Sequence, residues 1–280
     1  MPTIIDGKAI SAAIKDELKK EVAEKNIKAV LAVIQVGNDP ASTVYVGNKK
    51  KACAYIGIGS RSFELPEETT EEELLKLIDD LNNDDEINGI LVQLPVPKHI
   101  DEKKITAAIS PDKDVDGFHP ESVGRLCIGR EGFVSCTPAG IIELLKRSNI
   151  EIEGKECVVI GRSNIVGKPM ALLMLANNAT VTVCHSRTKN MSEILKKADV
   201  VIVAVGNINF LQKDMIKDDA IVIDVGTNYV NGKVVGDVDF ENVKDKAFAI
   251  TPVPGGVGIV TNALLIENII ASAERMIENK

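Results

Sequence analysis

Tryptophan is missing from this 280-residue chain and aromatics make up only 3% of it, although 45% of its residues are hydrophobic. Its core must therefore be aliphatic, and the length suits two ordinary domains or one large one. Positive charge is in deficit, with 33 Lys and Arg against 41 Asp and Glu, a formal net charge of -8. That sign argues against a general nucleic-acid binder. Cysteine is sparse and unpatterned: five residues, at 53, 127, 136, 157 and 184, and no C-x-x-C pair. An odd count without that spacing signals neither a zinc site nor a disulfide framework, so no metal is expected. The thiols are read as reduced, in a cytoplasmic protein. No secretory apolar run opens the sequence, and no stretch is read as a membrane span.

What is present alternates. Ile10, Ile14, Leu18 and Val22 recur at four-residue steps and predict a helix over 7–25. "KAVLAVIQVG", "SRSFELP" and "INGILVQLPVP" read as strands, with helices around Tyr45 and over "TTEEELLKLIDDLNN" between them. Near residue 140 the alternation restarts in denser form. "KECVVIG", "TVTVCHS", "DVVIVAVG" and "AIVIDVG" are apolar runs ending in small or polar residues, "KDMIKDD" links the last two, and "FAITPV" follows. The fold class is α/β with a mostly parallel sheet in each half, the second half a doubly wound, Rossmann-type nucleotide-binding domain. A long helix is predicted from about Thr261 to the end.

One lysine is out of pattern. In "STVYVGNKKKACAYIGI", Lys50 and Lys51 point away from the apolar stripe, but Lys49 falls in the middle of Tyr45, Val46, Ala52, Cys53 and Ile56. Such a lysine either buries its stem and sends its charge to water, or is a buried base with a lowered pKa. Gln93, the one polar side chain in "GILVQLPVP", sits where ligands gather in parallel sheets and could hold that lysine. "PDKDVDGFHPE" places Asp112, Asp114, Asp116 and Gly117 like the start of an EF-hand loop, but Val123 stands at the twelfth position. Calcium is excluded, which leaves a solvated turn or a carboxylate that holds a polar ligand.

"CVVIGRSNIVGKPM" runs a strand into a glycine turn and a helix, the arrangement that offers backbone N–H groups to phosphate. It is no P-loop, because five residues separate Gly161 from Gly167 and Pro169 follows the lysine. It lacks the usual glycine string too, with Ser163 and Val166 in the second and third glycine positions. The next strand ends in His185, Ser186 and Arg187, without the acid that accepts NAD ribose hydroxyls. These donors, with Arg162, either are plain surface polar groups at a strand end or suit a 2′-phosphate, which points to NADP over NAD. "TPVPGGVGIVTN" places adjacent glycines before a helix, as a plain turn or a close approach to ligand.

Together the segments resemble the bifunctional methylenetetrahydrofolate dehydrogenase/methenyltetrahydrofolate cyclohydrolase (FolD) family over nearly the whole chain. The markers appear in order: "YVGNK", "GILVQLPVP", "PDKDVDGFHP", "CTPAG", "GRSNIVGKP", "TVCHS", "DVGTN" and "TPVPGGVG". The resemblance implies two α/β domains flanking a cleft. Residues 1–139, with a returning helix at 262–280, would bind folate, and 140–261 would bind NADP. It implies Lys49 as the catalytic lysine, Tyr45 as its aromatic partner, Gln93 as the neighbouring amide and Asp116 as the carboxylate that holds the pterin. Val92, Leu94, Pro254, Gly255, Gly256, Val257 and Gly258 would line the folate site. Gly161, Arg162, Ser163, Ser186 and Thr227 would contact NADP, with Arg187 beside them. Tetrahydrofolate derivatives as ligands and a homodimer follow from the resemblance alone, and no nucleic-acid or membrane partner is expected. One departure is visible: Ile259 and Val260 stand where the family usually has Pro-Met. Loss of that proline is expected to loosen the loop and alter folate affinity. Another NADP oxidoreductase, of shikimate- or amino-acid-dehydrogenase type, or a non-catalytic dinucleotide sensor would explain the second half, but would leave Tyr45, Lys49, Gln93 and Asp116 coincidental.

Overall fold

The computed structural model of the chain describes residues 3–278, apart from the side chains of residues 40 and 41. The chain opens with β1 (Thr3–Ile4), α1 (Gly7–Lys25), β2 (Val30–Val36), α2 (Pro40–Ile56), β3 (Gly59–Leu65), α3 (Glu71–Asn82) and β4 (Gly89–Val92). Three helices follow: α4 (Glu102–Ala108), α5 (Pro120–Cys127) and α6 (Cys136–Arg147). Then come β5 (Glu156–Ile160), α7 (Gly167–Ala176), β6 (Thr180–Cys184), α8 (Met191–Leu195), β7 (Val200–Val203) and β8 (Ile221–Asp224). The chain closes with β9 (Asn228–Val230), β10 (Lys233–Val235), α9 (Phe240–Val243), β11 (Ala249–Ile250) and α10 (Val257–Glu278).

Two compact units result. One joins the described residues up to Ala12 to Ser135–Thr261, and the other joins Ala13–Val134 to the described residues from Asn262 onward. The sequence boundaries kept the first residues with the folate half. The structure groups them with the other half, because β1 pairs in parallel with β11, Thr3 beside Ala249 and Ile4 beside Ile250.

The unit built on Ser135–Thr261 carries a six-stranded sheet in the order β1-β11-β8-β7-β5-β6, with every strand pair parallel. The chain steps outward from β5 to β6 and then returns across to β7 and β8, so its direction reverses between β5 and β7. Open sheets of this kind bind ligands at that reversal, beyond the carboxyl ends of the strands. β7 and β8, VVIV and IVID, are buried at every position, as continuous apolar runs require between two helical layers. The unit built on Ala13–Val134 has a three-stranded parallel sheet, β3-β2-β4, whose β2 and β4 pack with Leu74, Ile78 and Leu81 of α3. Thr70 and Glu73 close a reciprocal capping box on α3, the signal its sequence carried.

"KDMIKDD", the link between β7 and β8, forms a 3-10 turn at Lys213–Met215. Two local differences have physical causes. β9 and β10 form an antiparallel hairpin over Asn231 and Gly232, both at positive φ, which the sequence reading missed because its strands are three residues each. α10 begins at Val257, ahead of the expected Thr261, and is long and apolar enough to cross a membrane, a match not credited from the sequence. Its apolar side is occupied within the fold. Leu265, Ile266, Ile269 and Ile270 are buried, and Ser272 donates to the Asp112 carbonyl at 2.7 Å.

Candidate active site

In the unit of the three-stranded sheet, Asp39 caps α2 by accepting the Ser42 N–H at 2.7 Å. The α2 stripe is buried at Val46, Ala52, Cys53 and Ile56. Lys49 within it is half-buried rather than enclosed. Its Nζ donates to Gln93 Oε1 at 3.0 Å. Gln93 Nε2 donates to the Leu94 carbonyl at 2.8 Å, which leaves its oxygen turned to the lysine. The Gln93 N–H continues the β4–β2 ladder by donating to the Ile34 carbonyl at 2.8 Å, so this pair stands at the carboxyl end of a parallel sheet. Tyr45, also half-buried, lies one turn before Lys49 on α2.

Asp116 completes the group. Loss of water pushes its carboxyl above the usual range, while the Lys49 charge acts in the opposite direction. Asp116, Val92, Leu94 and Phe118 line one small pocket in this unit. Cys53, one turn after Lys49, is also under its field, but burial pushes the thiol up to about 11 and keeps it from being a nucleophile at neutral pH.

The other acids of this loop do different work. Asp112 is exposed. Asp114 is 1% exposed, and its carboxylate accepts from the Phe118 N–H (3.1 Å), the His119 N–H (2.8 Å) and Ser122 Oγ (2.8 Å). Burial dominates and pushes it up to about 6. Lys113 is buried as well, and its Nζ donates to the carbonyls of Leu81, Asn82 and Asp84 at 2.8–3.0 Å, capping the end of α3. The sequence reading weighed the acids as a set and missed both roles. That Lys113, Asp114 and Val115 are buried in succession while Asp116 is partly open shows only in the fold.

Pro254, Gly255, Gly256, Val257 and Gly258 belong to the unit of the six-stranded sheet. Gly255 has φ +114°, and Gly256 is packed so that a Cβ would lie 2.6 Å from the Pro252 carbonyl oxygen. Gly7, which the sequence reading passed over, buttresses this loop: a Cβ there would lie 2.3 Å from the Gly256 carbonyl oxygen. Ser11 Oγ donates to the Ile259 carbonyl at 3.1 Å, and Val260 is fully buried. The first turn of α10 is thus tied down without a proline.

The cofactor candidates meet at the sheet reversal. Gly161, at the end of β5, has φ +126°, and a Cβ would lie 2.4 Å from the Ala204 carbonyl oxygen beyond β7. Gly167 is equally constrained, with Gly161's carbonyl oxygen 2.4 Å from any Cβ. Ser163 Oγ accepts the N–H groups of Val166 (3.2 Å) and Gly167 (3.3 Å) at the start of α7. Arg162, Ser163, Ser186 and Arg187 are exposed beyond the adjacent ends of β5 and β6, and Thr227 is exposed beyond β8. Neither arginine is in an ion pair with a described residue. From β6 to β8 is three inter-strand steps, about 14 Å, a span that suits an extended dinucleotide. The constrained glycines and free cationic donors fit NADP.

Two family profiles match the chain: "Tetrahydrofolate dehydrogenase/cyclohydrolase, catalytic domain" over residues 5–116, and the family's "NAD(P)-binding domain" over residues 135–277. The chain is 64% identical over 279 residues to the Bifunctional protein FolD of Lachnoclostridium phytofermentans, which covers 98% of this chain and 99% of that relative. The crystal structure of the bifunctional FolD methylenetetrahydrofolate dehydrogenase/cyclohydrolase from Campylobacter jejuni superposes with a TM-score of 0.95 at 52% identity, covering 98% of this chain and 99% of the other. The methylenetetrahydrofolate dehydrogenase-cyclohydrolase of Trypanosoma brucei, solved with NADP and an inhibitor, gives 0.94 at 40% identity, covering 99% and 98%.

Proposed function

The chain belongs to the tetrahydrofolate dehydrogenase/cyclohydrolase family, and from that premise we propose that it carries both activities, with Lys49 as the acid–base residue of the second. It oxidises 5,10-methylenetetrahydrofolate to the 5,10-methenyl form and hydrolyses that to 10-formyltetrahydrofolate. NADP⁺, when bound, supplies the hydride acceptor. Gly161 gives the dinucleotide close backbone approach, and Arg162, Ser163, Ser186, Arg187 and Thr227 bind it. The folate nitrogens flanking the bridging carbon stabilise the cation left by oxidation, so this step asks mainly for orientation.

Hydrolysis needs proton transfers. Lys49 takes a proton from the water that adds to the methenyl carbon, directly or through a second water, and the ring opens. Gln93 orients the lysine, Tyr45 packs on the folate, and Asp116 accepts from the pterin amino and ring N–H groups. Val92, Leu94 and the 254–258 loop line the folate site. The observation that carries this reading is the Lys49–Gln93 hydrogen bond, with Asp116 in the lysine's field. A different oxidoreductase, or a sensor without chemistry, would have no use for that set, and both halves of the chain match the one family. The cysteines, all free thiols, suit a cytoplasmic location, and a homodimer follows from the family resemblance alone.

The test supplies methylenetetrahydrofolate with NADP⁺ or NAD⁺ and follows reduced cofactor and the methenyl chromophore separately. Reduced NADP forming while methenyl stays low is the expected result, after correction for spontaneous hydrolysis. Methenyl matching reduced cofactor would leave a dehydrogenase alone. Lys49→Met should lower cyclohydrolase turnover by about 10²- to 10⁴-fold, and full retention would remove the base assignment.

A further inference from the structure

The loops at the carboxyl end of the six-stranded sheet are organised by two buried aspartates. Asp237 has no exposed surface. Its Oδ2 accepts the N–H groups of Val205 (2.8 Å) and Gly206 (2.9 Å), and its Oδ1 accepts the Asn207 N–H and the Asn228 side-chain amide, both at 2.9 Å. Three successive amides turned to one carboxylate form a nest, an anion site made of backbone. Asp224, at the end of β8, holds Asp237 in turn. Its Oδ1 accepts the N–H groups of Gly226 and Asp237, and its Oδ2 that of Val238, each at 2.9 Å. The fit leaves no room for side chains: a Cβ at Gly226 would lie 2.4 Å from Asp237 Oδ1, and one at Gly236 would lie 1.9 Å from Asp224 Oδ2.

One carboxylate therefore pins two loops. The first follows Ala204, whose carbonyl touches the Cβ position of Gly161 at the sheet reversal. The second runs from β8 through exposed Thr227 to Asn228. We propose that Asp237 is a positioning residue for the dehydrogenase half of the reaction. It shapes the wall that the dinucleotide meets, and by filling the 205–207 nest it keeps the ligand's phosphates out of that nest and leaves them to the Gly161–Ser163 turn. The inference rests on the NADP reading above.

The experiment titrates parent and Asp237→Asn enzyme with NADPH, following cofactor fluorescence, and assays both activities. An amide keeps one acceptor oxygen and presents N–H to the remaining donors, so NADPH affinity should fall about tenfold or more and the KM for NADP⁺ should rise with it. Cyclohydrolase activity on methenyltetrahydrofolate without NADP should be unchanged. Parent-like NADPH affinity in the variant would overturn the proposal. A parallel loss of both activities would also overturn it, since a merely structural aspartate predicts that pattern. If Asp237→Asn does not fold, Asn228→Ala decides, because it removes one of the four donors: the same NADPH-specific loss, smaller in size, is expected, and its absence would sink the idea. A parent enzyme that bound no NADPH would overturn the NADP reading itself.

Discussion

Asp114 and Asp116 stand two positions apart in one loop and answer to different surroundings. Asp114 holds its proton to about pH 6, against about 3.8 for an ordinary aspartate. A carboxyl protonated more readily in the folded than in the unfolded chain favours folding at low pH, and that contribution is lost as pH rises from about 4 through 6. The difference of two pH units corresponds to about 3 kcal/mol. Denaturant unfolding from pH 4 to 7 should therefore show the stability of Asp114→Asn improving relative to the parent as pH rises, by up to that amount. A constant difference would contradict the burial argument. Burial raises the Asp116 carboxyl and Lys49 opposes that rise: with Lys49→Met the opposing charge is gone, and Asp116 should titrate at higher pH than in the parent. Carboxyl-carbon NMR would read that shift directly, and no change would uncouple the two groups.

Among elements, helix ends are the points most open to test. Lys113 donates to three carbonyls at the end of α3, and burial pulls its pKa down while Asp84 and Asp85 push it up. Lys113→Met keeps the stem and removes the donors, leaving those carbonyls short of partners, and should cost about 2–4 kcal/mol in denaturant unfolding. Loss of less than 1 kcal/mol would show that water replaces the ammonium. At the start of α1, Gly7 allows the 254–258 loop its close approach. Gly7→Ala forces a Cβ against two backbone carbonyls, so it should raise the KM for methylenetetrahydrofolate while leaving NADPH affinity near that of the parent. Helix α1 was legible from its four-residue period and α3 from its capping box. The glycine that starts α1 carried no readable signal, because its meaning lies in residues almost 250 positions away.

At the scale of the whole molecule, the proposed acid–base residue Lys49 and the proposed NADP contacts lie in different units, so the activities should separate. Gly161→Ala places a Cβ against the Ala204 carbonyl and should abolish NADPH binding and dehydrogenase turnover while cyclohydrolase activity persists; loss of both together would contradict that division. The sequence by itself determined the alternating elements, the parallel sheets and the family, since apolar period and glycine placement act locally and the family's markers are contiguous. It also singled out Lys49, because an ammonium in an apolar stripe breaks a local rule. What tertiary structure alone decided is which of several similar residues does what. Lys49 meets Gln93 across 44 positions, β1 joins a strand from the far end of the chain, and Asp237 fills a nest of amides 30 and more positions earlier. Burial and hydrogen-bond partners come from chain segments brought together by packing, and no window of sequence contains them.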